Sequence, residues 1–334
     1  MLPDLADLLA TVRVVTLTLR RRFRGITERE VAVFEGPYGW GEFSPFLEYD
    51  DHEAAQWLRA GIAFCWTPLP VMRRESIMVN ATVPAIDADD VPTVLAEYPG
   101  TRTAKVKVAE PGQRVEDDIS RVRAVRECLG EQGRIRVDAN GLWTVDEAER
   151  ALAALATFNL EYAEQPCATI EELKDLRQRM NGAEIPIAAD ESVRKASDPL
   201  LVARAGAADL LIVKAQPLGG LEPALHIVEE AGLPVVVSSA LDTSIGISMG
   251  AHLAASLPTL DHACGLGTVS MFVDDIVDKP LIPHDGVIPV ERTVPDPLKL
   301  DSLAAPPERT RWWHERIRRC YDLLHATGTD APER

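Results

Sequence analysis

The run TAKVKVAE (residues 103–110) reads as a short β-strand, because β-branched and small residues alternate along it at period two. Its alternate positions are Lys105 and Lys107, which share one face of the strand. A buried parallel strand normally carries valine or isoleucine there. Two ammonium groups side by side imply a polar, functional space on that face.

On both sides of this run, short apolar segments alternate with helix-length ones. VNATVP starts at residue 79, and IRVDAN, LEYAEQP, IPIAADE, LLIVKAQ, VVVSSA and ACGLGT follow AKVKVA, giving eight candidate strands. Between them, VEDDISRVRAVRECL is apolar at 115, 119, 122, 125 and 129, one face of a helix. Thr144 and Thr169 precede Glu147 and Glu172 by three residues, the signature of capping boxes that open two further helices. Strands alternating with helices imply right-handed βαβ units and a parallel sheet. Eight of them favour an α/β fold of the closed (β/α)8 TIM-barrel type, with an open doubly wound sheet as the rival.

Residues 76–274 are therefore read as a barrel catalytic domain. The first 75 residues differ: VRVVTLTLR and EREVAVFEG form an antiparallel pair joined through RRFRGIT, and DHEAAQWLRAGIAFCW is helical. This α+β capping domain, residues 1–75, is expected to be completed by residues 275–334, where WWHERIRRCYDLL sets Trp313, Ile317, Cys320 and Leu324 on one stripe.

The 334 residues are 46% hydrophobic and 26% charged, the balance of a globular enzyme. A net charge of −17 opposes nucleic acid and anionic membranes as partners and leaves small molecules. The amino terminus MLPDLADLLATVRVV lacks a basic n-region and is not read as a signal peptide. No apolar run reaches the roughly 18 residues of a membrane span. Cys65, Cys128, Cys167, Cys264 and Cys320 are scattered without CxxC spacing, which suits reduced thiols in a cytoplasm and not a zinc site. A monomer is compatible with all of this.

In such barrels chemistry sits at the carboxyl ends of the strands. The polar residues that close these strands are Lys107, Asp138, Glu164, Asp190 and Lys214. From 138 to 164 and from 164 to 190 are both 26 residues, about one βα unit, so three consecutive strands would bring three carboxylates to one point. Hard oxygen donors of this kind suit Mg²⁺. Any one of these acids alone would more often be a helix cap or a loop ion partner; their joint spacing, bracketed by two lysines, raises them above that. Lys105 beside Lys107, together with desolvation, would favour a neutral amine able to move protons.

The motifs KVK (105–107), DAN (138–140), EQP (164–166), ADES (189–192) and VKAQPLGG (213–220), in this order, resemble the enolase superfamily, in the branch with lysines on the second and sixth barrel strands. The resemblance implies a capping domain over the barrel mouth, and Mg²⁺, with Mn²⁺ as a substitute, on Asp138, Glu164 and Asp190. It also implies proton abstraction beside a substrate carboxylate by Lys107 or Lys214. VVVSSALDTSIG carries no histidine and CGLGT no acid, unlike several branches of the superfamily. SSALDTSIG, GLGT and RVDAN together resemble the branch that dehydrates 2-succinyl-6-hydroxy-2,4-cyclohexadiene-1-carboxylate (SHCHC) in menaquinone formation.

That resemblance implies neutral donors to the succinyl group from Ser238, Ser239 and the backbone around Gly265. Arg136 and Asn140, on the Asp138 face, would orient the carboxylate or Lys107 or else form a barrel-interior ion pair or cap, and Gln165, Glu191 and Gln216 would support the metal or lysine positions. Phe23, Arg24 and Gly25 would lie over the mouth. Two alternatives stay open: a racemase of N-succinylamino acids using both lysines, and an inactive barrel that binds an acid.

Overall fold

The computed structural model describes residues 2–23, 25–180, 185–193 and 198–329. A short helix α1 (Leu5–Thr11) leads into an antiparallel sheet of β1 (Arg13–Phe23), β2 (Ile26–Gly36) and β3 (Gly39–Phe43), backed by α2 (Asp51–Trp66). The β1–β2 register runs evenly from Arg13↔Val33 to Thr18↔Glu28, then shifts before Phe23↔Ile26. Such a shift bends a ribbon. Helix α2 opens where Asp50 accepts the Glu53 N–H and buries Trp57, Leu58, Ile62 and Cys65. Glycines let it lie directly on β3: a Cβ on Gly61 would stand 2.5 Å from the Glu42 carbonyl oxygen.

After β4 (Ser76–Met78) the chain winds through β5 (Ala81–Val83), α3 (Val91–Leu95), β6 (Thr103–Lys107), α4 (Val115–Leu129), β7 (Arg134–Asp138), α5 (Val145–Leu155) and β8 (Leu160–Glu164). It continues through α6 (Ile170–Arg179), β9 (Ile187–Ala189), α7 (Asp198–Ala205), β10 (Leu210–Val213), α8 (Leu221–Ala231), β11 (Val235–Val237) and α9 (Ser244–Ser256). Strands β5 to β11 pair in sequence order, all parallel. Helix α4 covers the stretch read from its periodicity, and the capping boxes at Thr144 and Thr169 are both formed.

The eighth expected strand, ACGLGT, is reduced to two bridging residues. Cys264 bridges Val79 and Gly265 bridges Ser238, both in parallel sense, through Asn80 N–H on Cys264 O (2.9 Å) and Gly265 N–H on Val237 O (2.8 Å). The ring thus closes, but over a minimal contact. Glycine interrupts a strand because it offers no side chain to pack, and here it is required: a Cβ on Gly265 would meet Ser238 Oγ at 2.4 Å.

The tail returns through β12 (Val287–Pro289), antiparallel to β4, then α10 (Pro297–Ser302) and α11 (Pro307–Thr329). Trp313, Ile317, Cys320 and Leu324 are buried in a core shared with Phe34, Phe43 and Trp57, and the Phe43 and Trp313 rings meet edge-on at 5.6 Å. That core also takes in Ala240, Leu241 and Ile245, so it runs on to the carboxyl end of the barrel. Among the described residues no helix is long and apolar enough to cross a membrane. All five cysteines are free thiols, four of them buried.

Candidate active site

Strand register builds the site. Lys107 pairs with Asp138 and Asp138 with Glu164, so these three form one row at the strand ends. Asp190 follows β9 directly and Lys214 follows β10. Lys107 Nζ lies 2.5 Å from Asp138 Oδ2, Lys105 Nζ lies 2.6 Å from Glu164 Oε1 and 3.1 Å from Asp138 Oδ2, and Lys214 Nζ is paired with Asp190 Oδ1. Buried charges of one sign must be compensated, and here ammonium groups stand between the carboxylates.

Electrostatics follow from that interleaving. Burial raises the Asp138 carboxyl, but Lys107 and then Lys105 outweigh it and hold the group far below the usual range. Burial likewise raises Asp190, and Lys214 and Lys105 bring it down. Glu164 is pushed up to about 8 by burial and by Asp138, against the opposing pull of Lys105. Burial alone would lower Lys105, yet Glu164, Asp138 and Asp190 hold it charged, well above its ordinary value. Lys105 is thus a cation beside Lys107, and it is itself paired with two acids.

Among the described residues no three of His, Cys, Asp and Glu stand grouped so as to hold an ion as they are. The donor chemistry nonetheless fits a hard divalent cation. Lys105 feels the charge of all three carboxylates, Glu164, Asp138 and Asp190, and Glu164 Oε2 is buried with no hydrogen-bond partner.

The other expected residues divide. Asn140 Oδ1 accepts from Lys107 (2.8 Å) and its Nδ2 donates to Glu191 Oε1 (2.9 Å). Gln165, at a left-handed φ of 37°, turns its Oε1 to accept the Asp190 N–H (2.9 Å) and the Ser192 N–H (3.2 Å), fixing the loop that carries the third acid. Gln216 donates to Asp242 Oδ1 (3.1 Å) and Ser44 Oγ (3.3 Å), tying the barrel to the capping sheet, and it makes no hydrogen bond to an acid of the row.

Arg136 departs further. Its guanidinium meets Glu161 Oε2 (2.5 Å), Ala263 O (2.7 Å) and Asn80 Oδ1 (3.2 Å) and stacks over Tyr162, so it points toward the amino ends of the strands. It is a barrel-interior ion pair and does not orient Lys107. Gly265 departs too: its N–H is spent on Val237, and its carbonyl accepts from Ser239 Oγ (2.8 Å) and Ser238 Oγ (3.4 Å). No free backbone donor is left at Gly265. Ser239 also meets Thr268 Oγ1 at 2.8 Å.

A narrow cleft opens between the strand ends and the capping unit, lined by Lys105, Lys107, Asn140, Asp190, Glu191, Lys214, Ser238, Ser239 and Gly265. Phe23 lies in its wall with its ring centroid 5.5 Å from Lys107 Nζ. Arg24 lies outside the described residues, and Gly25 makes the hairpin turn at φ 80°. Reading the strands alone misses Phe46, Thr82, Leu241 and Thr268, which also line the cleft. Phe46 comes from a loop with no periodicity to flag it. Thr82 could have been found, since it pairs in register with Lys105.

A family model described as enolase C-terminal domain-like matches residues 91–295, and one described as enolase N-terminal domain-like matches residues 14–65. The chain is 54% identical to the o-succinylbenzoate synthase of Mycolicibacterium smegmatis, over 96% of this chain and 98% of the relative. It is also 54% identical to that of Mycobacterium leprae, over 97% and 95%. Among solved structures, 2-chloromuconate cycloisomerase from Rhodococcus opacus superposes with a TM-score of 0.73 at 23% identity, covering 89% of this chain and 98% of that one. N-succinyl Arg/Lys racemase from Bacillus cereus superposes with a TM-score of 0.70 at 20% identity, covering 89% and 97%. These last two likenesses establish the fold.

Proposed function

The chain belongs to the enolase superfamily and, within it, to the o-succinylbenzoate synthases, and from that premise we propose how its cleft carries out the reaction. The reaction is the dehydration of SHCHC to 2-succinylbenzoate, a step of menaquinone formation. The observation that carries the site assignment is the register-locked row Lys107–Asp138–Glu164, with Lys214 and Asp190 on the same cleft.

Asp138, Glu164 and Asp190 would hold Mg²⁺, or Mn²⁺ in its place, which supplies positive charge at the substrate carboxylate and acidifies the neighbouring carbon. Lys107 removes the proton from that carbon. The electron pair enters the ring, and the same lysine, now protonated, delivers a proton to the departing hydroxyl on the same face, so that water leaves and the ring becomes aromatic. Lys214 answers the negative charge from its own side of the cleft. Phe46 and Leu241 present apolar surface to the ring, while Ser238 and Ser239 face the succinyl chain. Residues 1–75, completed by 275–334, act as a cap that excludes water from the barrel of residues 76–274. The partner is thus a small carboxylate, and the compartment is the cytoplasm.

A second activity draws on the same lysine pair: two bases on one cleft can exchange the α-proton of an N-succinylamino acid. Purified protein incubated with SHCHC and Mg²⁺ should form 2-succinylbenzoate, and chelation should stop it. Absence of product from a folded preparation supplied with either metal would overturn the reading.

A further inference from the structure

Lys107 is held by acceptors from two residues. Asp138 Oδ2 takes one N–H at 2.5 Å and Asn140 Oδ1 another at 2.8 Å. An ammonium has three N–H groups, whereas the neutral amine that accepts a proton has two and one lone pair. With one N–H fixed on each acceptor, the lone pair must take the remaining tetrahedral direction.

Which end of the Asn140 amide meets the lysine is decided by Glu191. A carboxyl group keeps an acceptor oxygen whether or not it is protonated, and Glu191 Oε1 accepts from Asn140 Nδ2 at 2.9 Å. The amide therefore turns its oxygen to Lys107. Reversed, it would press an NH₂ group against the ammonium and set its carbonyl against the carboxylate. The Asn140 backbone is pinned as well, at φ 48° with its N–H on Asp138 Oδ1 at 3.0 Å.

We propose that Glu191 is a positioning residue for the proton transfer: through Asn140 it secures one of the two N–H groups of Lys107 and so aims the lone pair into the cleft. This rests on the reading of Lys107 as the base. What Glu191 must supply is an acceptor, which separates this role from one of charge or metal binding.

Three variants test it. Glu191→Met removes the acceptor, Glu191→Gln keeps one in its amide oxygen, and Asn140→Gly removes the amide while tolerating the left-handed backbone. Misaiming a reacting group can cost on the order of a hundredfold. Glu191→Met and Asn140→Gly should lower kcat about 10- to 100-fold with KM within about threefold. The deuterium isotope effect on the abstracted proton should rise, and Glu191→Gln should restore most of the loss. Parental kcat in Glu191→Met, or a Glu191→Gln as damaged as Glu191→Met, overturns the proposal. Failure of the parent protein to turn over SHCHC would instead strike the function. Crystal structures then decide the clamp by themselves: a Lys107 Nζ still within about 3.5 Å of an unturned Asn140 in Glu191→Met refutes it, and a turned amide supports it.

Discussion

Lys107 and Lys214 line one cleft but keep different company, Asp138 and Asn140 for the first and Asp190 for the second. Removing a general acid–base group typically costs 10²- to 10⁴-fold. Lys107→Ala should lower kcat for SHCHC by about a hundredfold or more, with an unchanged circular dichroism spectrum; turnover within about tenfold of the parent would remove it as the base. Arginine keeps the charge but does not deprotonate. Lys214→Arg should therefore retain synthase turnover and abolish any racemisation, and polarimetry with an N-succinylamino acid beside the SHCHC assay checks both. The five strand-closing residues were legible because a strand's period places a side chain on a face, and the end of an apolar run marks its depth. Of the two roles open to Arg136, the ion pair holds, because it shares the face of Asp138 but lies two residues earlier, deep enough for Glu161 to capture it.

Arg136 and Glu161 join β7, β8 and the residues before the bridging Cys264, through Ala263 O and the His262 ring at 2.9 Å from Glu161. Burial raises the Glu161 carboxyl, but His262 and Arg136 more than offset it and bring it down to about 2. A carboxyl depressed in the folded state stabilises the protein above its unfolded value, near 4.5, and that contribution is lost as pH falls toward about 2. Glu161→Gln, which leaves Arg136 buried without its counter-charge, should cost about 3–5 kcal/mol near pH 7. Denaturant melts should show the gap between parent and variant narrowing as pH drops from 4.5 toward 2; a constant gap would contradict the assignment. In the capping unit, a Cβ at Gly61 would meet backbone that cannot yield, 2.5 Å from Glu42 O. Gly61→Ala should destabilise by about 1–3 kcal/mol, read from the same melts. Helix α4 was legible from its apolar spacing, and α5 and α6 from their capping boxes. Strands β3, β4 and β12 were not, because they lie outside the regular strand–helix alternation that marks the equally short barrel strands.

The molecule holds its cap in place with its own last helix. Trp313 is wholly buried, packs on Phe43 and donates from its indole to Glu30 Oε2 at 2.7 Å. Trp313→Ala should cost about 3–5 kcal/mol and leave Glu30 short of a partner. Because the same core reaches Ala240 and Leu241 beside the cleft, KM for SHCHC should rise in this variant as well. Unchanged stability and KM would show that α11 is dispensable. The alternation of strands and helices, the facing of Lys105 and Lys107, the spacing of the three acids and the apolar stripe of α11 were determined by the sequence alone, because they are periodic and local. The tertiary structure decided that the eighth strand shrinks to a bridge at Gly265, that Lys105 sits between two carboxylates, that Arg136 turns to the far end of the barrel, and that Phe46 reaches the cleft. Each depends on which charges and surfaces meet across long chain separations, and burial leaves such groups no solvent to fall back on.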